Sequence, residues 1–360
     1  MLFLEQALKQ TLDLKRSLRI LDLCAAPGGK STHIQSLISK DSLLVSNETI
    51  KSRVPVLQDN IIKWGAENVV ITNNDAADFS SVENFFDAII IDAPCSGSGL
   101  FRRDPDAIDE WSEQNVRLCS GRQKRIIGDV WPALKKDGVI IYSTCSYSME
   151  EDEEIVSWMM ESLDAKYLPL SMNTDWNIVD TGKGYRFWPD KIKGEGFFIA
   201  ALRKTDGDAR SEIKTKNQEF ISKKEITLLQ SWLNIEGKEF IRLKDPIYAI
   251  PNDRKDEIFY LQKLLKVVNP GLRVGELIRD KLVPDHALAM SRIVSEDIAK
   301  HELDHENAIK YLQRKDISID SPKGWQIVTY KGHALGWVNV LANRVNNYYP
   351  KEMRILKERK

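Results

Sequence analysis

The apolar run Arg19-Ile20-Leu21-Asp22-Leu23 passes straight into Cys24-Ala25-Ala26-Pro27-Gly28-Gly29-Lys30, and a stretch of helical spacing follows it. Few folds accept that order of events. Glycines let the backbone come close to a ligand, and the helix start behind them offers free N–H groups. The segment therefore reads as the first unit of an α/β sheet with a ligand cradle at its edge. Short β-branched runs at 43–47, 69–73, 86–92, 138–144 and 196–202 alternate with amphipathic stretches at 31–38, 51–64, 116–134 and 151–163. That alternation predicts a largely parallel, doubly wound sheet whose last strand is a late antiparallel addition. The turn is neither GxGxxG nor GxxxxGK[ST], which removes the dinucleotide fingerprint and the P-loop.

Residues 206–217 are polar and poor in large apolar groups, and a linker is expected there, closing a first domain at 1–205. Trp- and Tyr-bearing runs at 240–251 and 325–345 then predict a small α+β subdomain at 218–268 and a β-rich module at 269–360. With 360 residues, 42% of them hydrophobic and 29% charged, the chain is expected to be soluble and globular. No run of about 18 apolar residues occurs, and the early charges of MLFLEQALKQTLDLKR do not suit a secretory leader. A cytoplasmic protein without a membrane partner is expected. Cys24, Cys95, Cys119 and Cys145 are too few and scattered for a disulfide framework, and no CxxC or HxxxH pair suggests a metal. A net charge of −1 gives no global pull toward nucleic acid. Any such claim rests on local groups: KRSLR, Arg102–Arg103, and the cluster Lys331, Arg344, Lys351, Arg354, Lys357, Arg359 and Lys360, which in most proteins is plain solvated surface.

Three acids sit where the predicted strands end. Glu48 follows the second strand, in the place where doubly wound folds put a carboxylate against ribose hydroxyls; Asp75 follows the third and Asp92 ends the fourth. Together they favour an adenosine-type ligand. No further basic phosphate grip accompanies them, so a cofactor without phosphates fits better than a dinucleotide. Cys95, in Asp92-Ala93-Pro94-Cys95-Ser96-Gly97, and Cys145, in Ser143-Thr144-Cys145-Ser146, follow strands four and five and face the same crevice. A lone cysteine is most often inert filling, and Cys119, inside a predicted helix, keeps that reading. Two strand-end thiols beside a methyl-donor cradle have a specific use. Carbon 5 of cytosine is too weak a nucleophile to take a methyl from a sulfonium, but a thiolate added at carbon 6 turns the ring into an enamine that can. A base must then remove the carbon 5 proton so that the thiol leaves. Asp92 could hydrogen-bond the ring nitrogen or amine during addition.

The stretches LDLCAAPGGKSTHI, SNETIKSRV, DAPCSGSGLFRRDPDAIDEW and YSTCSYSMEEDE, in that order, resemble the NOL1/NOP2/Sun family of RNA 5-methylcytosine methyltransferases. Weaker likeness runs on through GEGFFIAALRK to ALGWVNVLANRVNNYYPKEMR. The likeness is strongest to the bacterial branch that acts on small-subunit (16S) ribosomal RNA and carries extra C-terminal domains. The resemblance implies a Rossmann-like S-adenosylmethionine-dependent methyltransferase domain with a mostly parallel seven-stranded sheet, followed by a smaller α+β, PUA-like RNA-binding region. It implies that Cys24, Ala25, Ala26, Pro27, Gly28, Gly29 and Lys30 hold the methionine and ribose portion of the cofactor, that Glu48 takes the ribose hydroxyls and Asp75 the adenine amine, and that Asp92 faces the reaction centre. Cys145 is then the nucleophile and Cys95 the group that helps release product. Trp325, Trp337 and Tyr348 are expected in the core of the closing module. Family members carry a further N-terminal portion that contributes to RNA binding, whereas here FLEQA begins almost at Met1; fold and cofactor binding should depend on that portion less than RNA affinity does.

Rival readings stay open at this level. A DNA cytosine methyltransferase attacks with its Pro-Cys cysteine and places Glu-Asn-Val later; here Glu67-Asn68-Val69 precedes Pro94-Cys95 and leads into strand three, which reads as coincidence. A transfer-RNA methyltransferase, a small-molecule methyltransferase and a non-catalytic RNA-binding assembly factor are the remaining rivals. The expected protein is a metal-free monomer acting on RNA in the small ribosomal subunit.

Overall fold

The computed structural model describes residues 2–207 and 220–356. Most of the expected linker at 206–217 lies outside them, as do Lys357, Arg359 and Lys360. The described residues form two compact units, one of 2–57, 70–207 and 257–268, the other of 58–69, 220–256 and 269–356.

The first unit is built on β1 (Arg19–Asp22), β2 (Leu43–Asn47), β3 (Val69–Thr72), β4 (Phe86–Asp92) and β5 (Leu134–Thr144), in the spatial order β3-β2-β1-β4-β5. β1 pairs in parallel with β2 and with β4, and β4 pairs in parallel with β5. All residues of β2 and β3 are buried, as their leading Leu-Leu-Val and Val-Val-Ile runs require of a sheet covered on both faces. Helix Glu113–Val130 shows how the covering elements are made. Ser112 caps it by accepting a hydrogen bond from the Asn115 amide, and Val116, Cys119, Gln123, Ile126, Ile127 and Val130 fall at helical spacing on its buried face. Full burial of Ile127 and Val130 contributes roughly 1.5–3 kcal/mol each. Because the chain moves outward from β1 on one side and from β4 on the other, a crevice opens beyond their carboxyl ends, where such sheets bind ligands.

β6 (Ala165–Leu168), β7 (Val179–Asp180), β8 (Tyr185–Phe187) and β9 (Phe197–Lys204) complete one side, β9 running antiparallel to β5 with Thr144 opposite Phe198. The late antiparallel strand is therefore present. Among the described residues the sheet has ten strands rather than the seven expected. The irregular stretch before Gly196 folds into the short strands β7 and β8, and Val267–Asn269 joins the far edge beside β3.

The second unit carries two further sheets of four strands each among the described residues. One joins Lys238–Arg242, Ile247–Pro251, Leu272–Ile278 and Lys281–Pro284 in antiparallel order. It crosses the expected boundary at 268/269, because Leu272–Ile278 finds its partner in Ile247–Pro251. The other joins Lys300–Glu302, Gly324–Tyr330, His333–Val340 and Val345–Asn347. Trp337 is fully buried between Trp232 and Trp325, with ring centroids 5.8 and 6.3 Å away, and its indole N–H donates to the Asp285 carbonyl at 2.8 Å. Tyr348 packs on Trp325 at 4.4 Å but remains partly exposed, so it belongs to the edge of that core. Among the described residues, no helix is long and apolar enough to cross a membrane.

Candidate active site

The loops after β1 to β5 converge on a cavity of about 660 Å³ lined by Leu23, Cys24, Ala26, Glu48, Asp75, Asp92, Cys95 and Cys145, with Arg122 and Arg125 from helix Glu113–Val130. Thus all three expected acids and both expected cysteines meet in one place. Of the glycine-rich turn, Cys24 and Ala26 line the cavity directly; Ala25, Pro27, Gly28, Gly29 and Lys30 do not. Gly28 caps the following helix at φ 110°, a left-handed conformation that side chains rarely adopt. Asn47, fully buried, fastens the loops together: its amide donates to the carbonyls of Leu23 and Asn74, and its oxygen accepts from Thr72 Oγ1 and the Asn74 amide.

Glu48 is 3% exposed. Its Oε1 accepts from the Ile50 amide at 2.8 Å, while Oε2 makes no hydrogen bond and stands 3.4 Å from the Arg53 guanidinium. A buried carboxylate oxygen without a donor is costly unless a ligand supplies one, and ribose hydroxyls are donors of the right kind. The residues present therefore fit S-adenosylmethionine. Arg53 also donates to the Ala26 carbonyl at 2.7 Å, linking the β1 and β2 loops. Asp75 is more exposed; the Arg125 guanidinium, 2.9 Å away, holds its carboxyl below the usual range. Asp22, behind the turn, is fully buried, and burial pushes its carboxyl up to about 6 despite the hydrogen bond from Ser31. Burial likewise pushes the Cys24 thiol up, away from nucleophilic use.

Asp92 is gripped from two sides, by Lys30 Nζ at 2.6 Å on Oδ2 and by Ser143 Oγ donating at 2.9 Å to Oδ1. Lys30 thus reaches the Asp92 carboxylate rather than the cavity wall. The sulfurs of Cys95 and Cys145 lie 2.8 Å apart. Sharing one proton between them favours the thiolate at Cys145 and pushes the Cys95 thiol up. Cys119 is buried on helix Glu113–Val130 and does not line the cavity. Among the described residues, no group of three or more His, Cys, Asp or Glu is placed to hold a metal ion.

The sequence alone does not disclose the partners: Arg53, Arg125, Ser143, Asn47 and Glu151, whose carboxylate accepts from Ser96 Oγ and Ser146 Oγ beside the two cysteines. Arg53 and Glu151 lie inside the SNETIKSRV and YSTCSYSMEEDE stretches, so their position is visible there but their contacts are not. Arg125 carries no signal beyond its place on the amphipathic helix.

The model of the family described as 16S rRNA methyltransferase RsmB/F matches residues 9–203. Residues 219–291 match the RsmF rRNA methyltransferase first C-terminal domain, and 299–355 the methyltransferase RsmF PUA domain. The chain is 30% identical to the ribosomal RNA small subunit methyltransferase F of Psychromonas ingrahamii, over 93% of this chain and 73% of that protein. It is 32% identical to the protein of the same name from Aliivibrio fischeri, over 92% and 73%. The crystal structure of NSun6 from Pyrococcus horikoshii with SFG superposes with a TM-score of 0.50 at 30% identity, covering 56% of this chain and 52% of that one.

Proposed function

The chain belongs to the 16S rRNA methyltransferase RsmB/F family, and from that premise we propose that it methylates carbon 5 of a cytosine in small-subunit ribosomal RNA through a covalent bond between Cys145 and carbon 6. The observation that carries this reading is the contact of the two strand-end thiols, 2.8 Å apart in a cavity that also holds Glu48, Asp75 and Asp92. S-adenosylmethionine, when bound, supplies a methyl carbon made electrophilic by its sulfonium, for carbon 5 of the activated ring to take. Cys24, Ala26, Glu48 and Asp75 would hold it.

The residues divide the remaining work. Cys145, holding its thiolate beside the Cys95 S–H, adds to carbon 6 and loads the ring with the electron pair that carbon 5 uses. Asp92, oriented by Lys30 and Ser143, accepts from the cytosine amine and stabilises the charge shift. Once Cys145 is bonded to carbon 6 it no longer shares the Cys95 proton, and Cys95 releases that proton to solvent. After methylation the Cys95 thiolate takes the proton from carbon 5, and the pair left behind re-forms the ring double bond and expels the Cys145 thiolate. The C-terminal unit, with its PUA-like module near 299–355, contributes RNA contacts. A monomer acting without a metal in the cytoplasm completes the proposal.

The test is methyl transfer from labelled S-adenosylmethionine to small subunits and to transfer RNA, each from cells lacking this protein, with nucleoside analysis. Label in 5-methylcytosine of the small subunit is expected, abolished in Cys145→Ala, and replaced by an RNA-bound protein adduct in Cys95→Ala. Label in transfer RNA alone, or normal turnover in Cys145→Ala, would overturn it.

A further inference from the structure

Glu151 stands directly behind the thiol pair and is fully buried. Its Oε1 accepts from the Ser96 amide at 2.8 Å and from the Gln123 side-chain amide at 3.2 Å; its Oε2 accepts from Ser96 Oγ at 2.5 Å and Ser146 Oγ at 2.6 Å. Ser96 follows Cys95 and Ser146 follows Cys145 in the chain. One carboxylate thus holds the residue next to each sulfur.

Apart from the Tyr147 amide, which donates to Ser98 Oγ at 2.9 Å, and the 3.5 Å approach of Ser96 Oγ to Ser146 Oγ, the other ties lie at the flanks of these loops. The Ala93 amide donates to the Ser143 carbonyl at 2.9 Å and the Gly99 amide to the Cys145 carbonyl at 2.7 Å. Between those anchors the Cys95 loop is gripped at Pro94 by Gln123, which donates to its carbonyl at 3.1 Å, and at Ser96 by Glu151. Gln123 in turn is oriented by Glu151. The Glu151 backbone is set by Tyr142, whose hydroxyl donates to its carbonyl at 2.6 Å from within β5. A carboxylate taken out of water is tolerated when donors fill its oxygens. Here four donors do so, drawn from two loops and a helix.

We propose that Glu151 is a positioning residue that fixes the Cys95–Cys145 pair in contact, and that the passage from thiol addition to thiol release depends on this spacing. The second half rests on the roles proposed above for the two cysteines; the first does not. Glu151→Gln keeps the shape but removes the charge and, with its NH₂ toward Ser96 Oγ and Ser146 Oγ, forces both hydroxyls to turn from donors into acceptors. Ser96→Ala combined with Ser146→Ala keeps the carboxylate and removes two of its links, which guards against a Glu151→Gln protein that fails to fold.

Phenylarsine oxide reads the spacing without RNA or cofactor, since its arsenic binds two neighbouring thiols with loss of one water. Wild-type protein is expected to take one equivalent and to protect Cys95 and Cys145 from maleimide, as mapped on peptides. In either variant the arsenical should bind at least about tenfold more weakly. Turnover should fall with the KM for S-adenosylmethionine unchanged, and the RNA adduct should accumulate. Arsenical affinity within about twofold of wild type in the folded variants overturns the positioning role. Weakened arsenical binding with normal turnover and no adduct keeps the spacing role and removes the two-cysteine release step.

Discussion

The two units solve opposite problems with their buried residues. The first unit buries acids: Asp22, Glu48, Glu151, Asp152 and Glu153 are all under 9% exposed, with Arg186 bonded to Glu153 and 3.3 Å from Asp152. The second unit builds its centre from rings, with Trp337 at contact distance from Trp232 and Trp325 and joined to the backbone by one indole hydrogen bond. Buried carboxylates cost stability unless their oxygens are filled, whereas buried rings contribute it through area and packing. The first unit therefore spends its interior on holding reactive groups in fixed positions, and the second on remaining a firm body. Substitutions should separate along that line, moving chemistry in one unit and stability in the other.

The largest expected separation comes from Trp337→Ala. Removing a fully buried indole leaves a cavity and takes one donor from the Asp285 carbonyl, which keeps the Leu288 amide, at a cost of about 3–5 kcal/mol. Thermal unfolding should show the second unit melting earlier while calorimetric affinity for S-adenosylmethionine stays within about twofold. A parallel loss of cofactor affinity would break the comparison.

A smaller effect tests whether the second unit's firmness is free of titrating groups, and one residue says it is not. His286 is 7% exposed, its Nδ1 has no hydrogen-bond partner, and burial lowers its pKa to about 4 from an ordinary 6.5. The unfolded chain binds this proton near 6.5 and the folded chain only near 4. The unfolded state therefore gains protons between those values, and stability is full above pH 6.5 and falls as pH drops toward 4, by roughly 3 kcal/mol in all. In His286→Gln this part of the acid-side slope should vanish from melting curves taken between those limits. An identical slope in both proteins would assign it to other groups.

How much of each unit the sequence announced follows the same division. The crevice was legible because its residues sit at strand ends, where alternation of apolar runs fixes their place: Glu48 and Asp92 could be put at one edge from β2 and β4 alone, and Cys145 from β5. What stayed hidden were contacts between distant segments, such as Asp75 with Arg125 or Ser96 with Glu151, since no periodicity encodes which helix face meets which loop. The strands at 179–187 escaped because two- and three-residue runs carry no alternation. In the second unit, of the three rings expected in the core Trp337 lies there, Trp325 is half-buried against it and Tyr348 is exposed at its edge, while the pairing of Leu272–Ile278 with Ile247–Pro251 was invisible. The nonlocal partner, not the strand itself, set that boundary.

The finest test falls on Glu48, where the two kinds of interior meet: a carboxylate buried almost as deeply as a core side chain, with one oxygen still unfilled. If Oε2 is kept for the ribose hydroxyls, Glu48→Gln should weaken S-adenosylmethionine binding by about ten- to hundredfold, the worth of one or two charge-assisted hydrogen bonds. Its Oε1 can go on accepting from the Ile50 amide, so the loop after β2 should hold its shape and the melting temperature should change little. The competing role for Glu48 is to anchor Arg53, which bridges to the Ala26 carbonyl. Arg53→Gln should then mimic Glu48→Gln in full. Titration calorimetry with both variants decides: a loss confined to Glu48→Gln assigns the carboxylate to the cofactor, and equal losses assign it to the loop, making it a structural residue of the kind that fills the second unit.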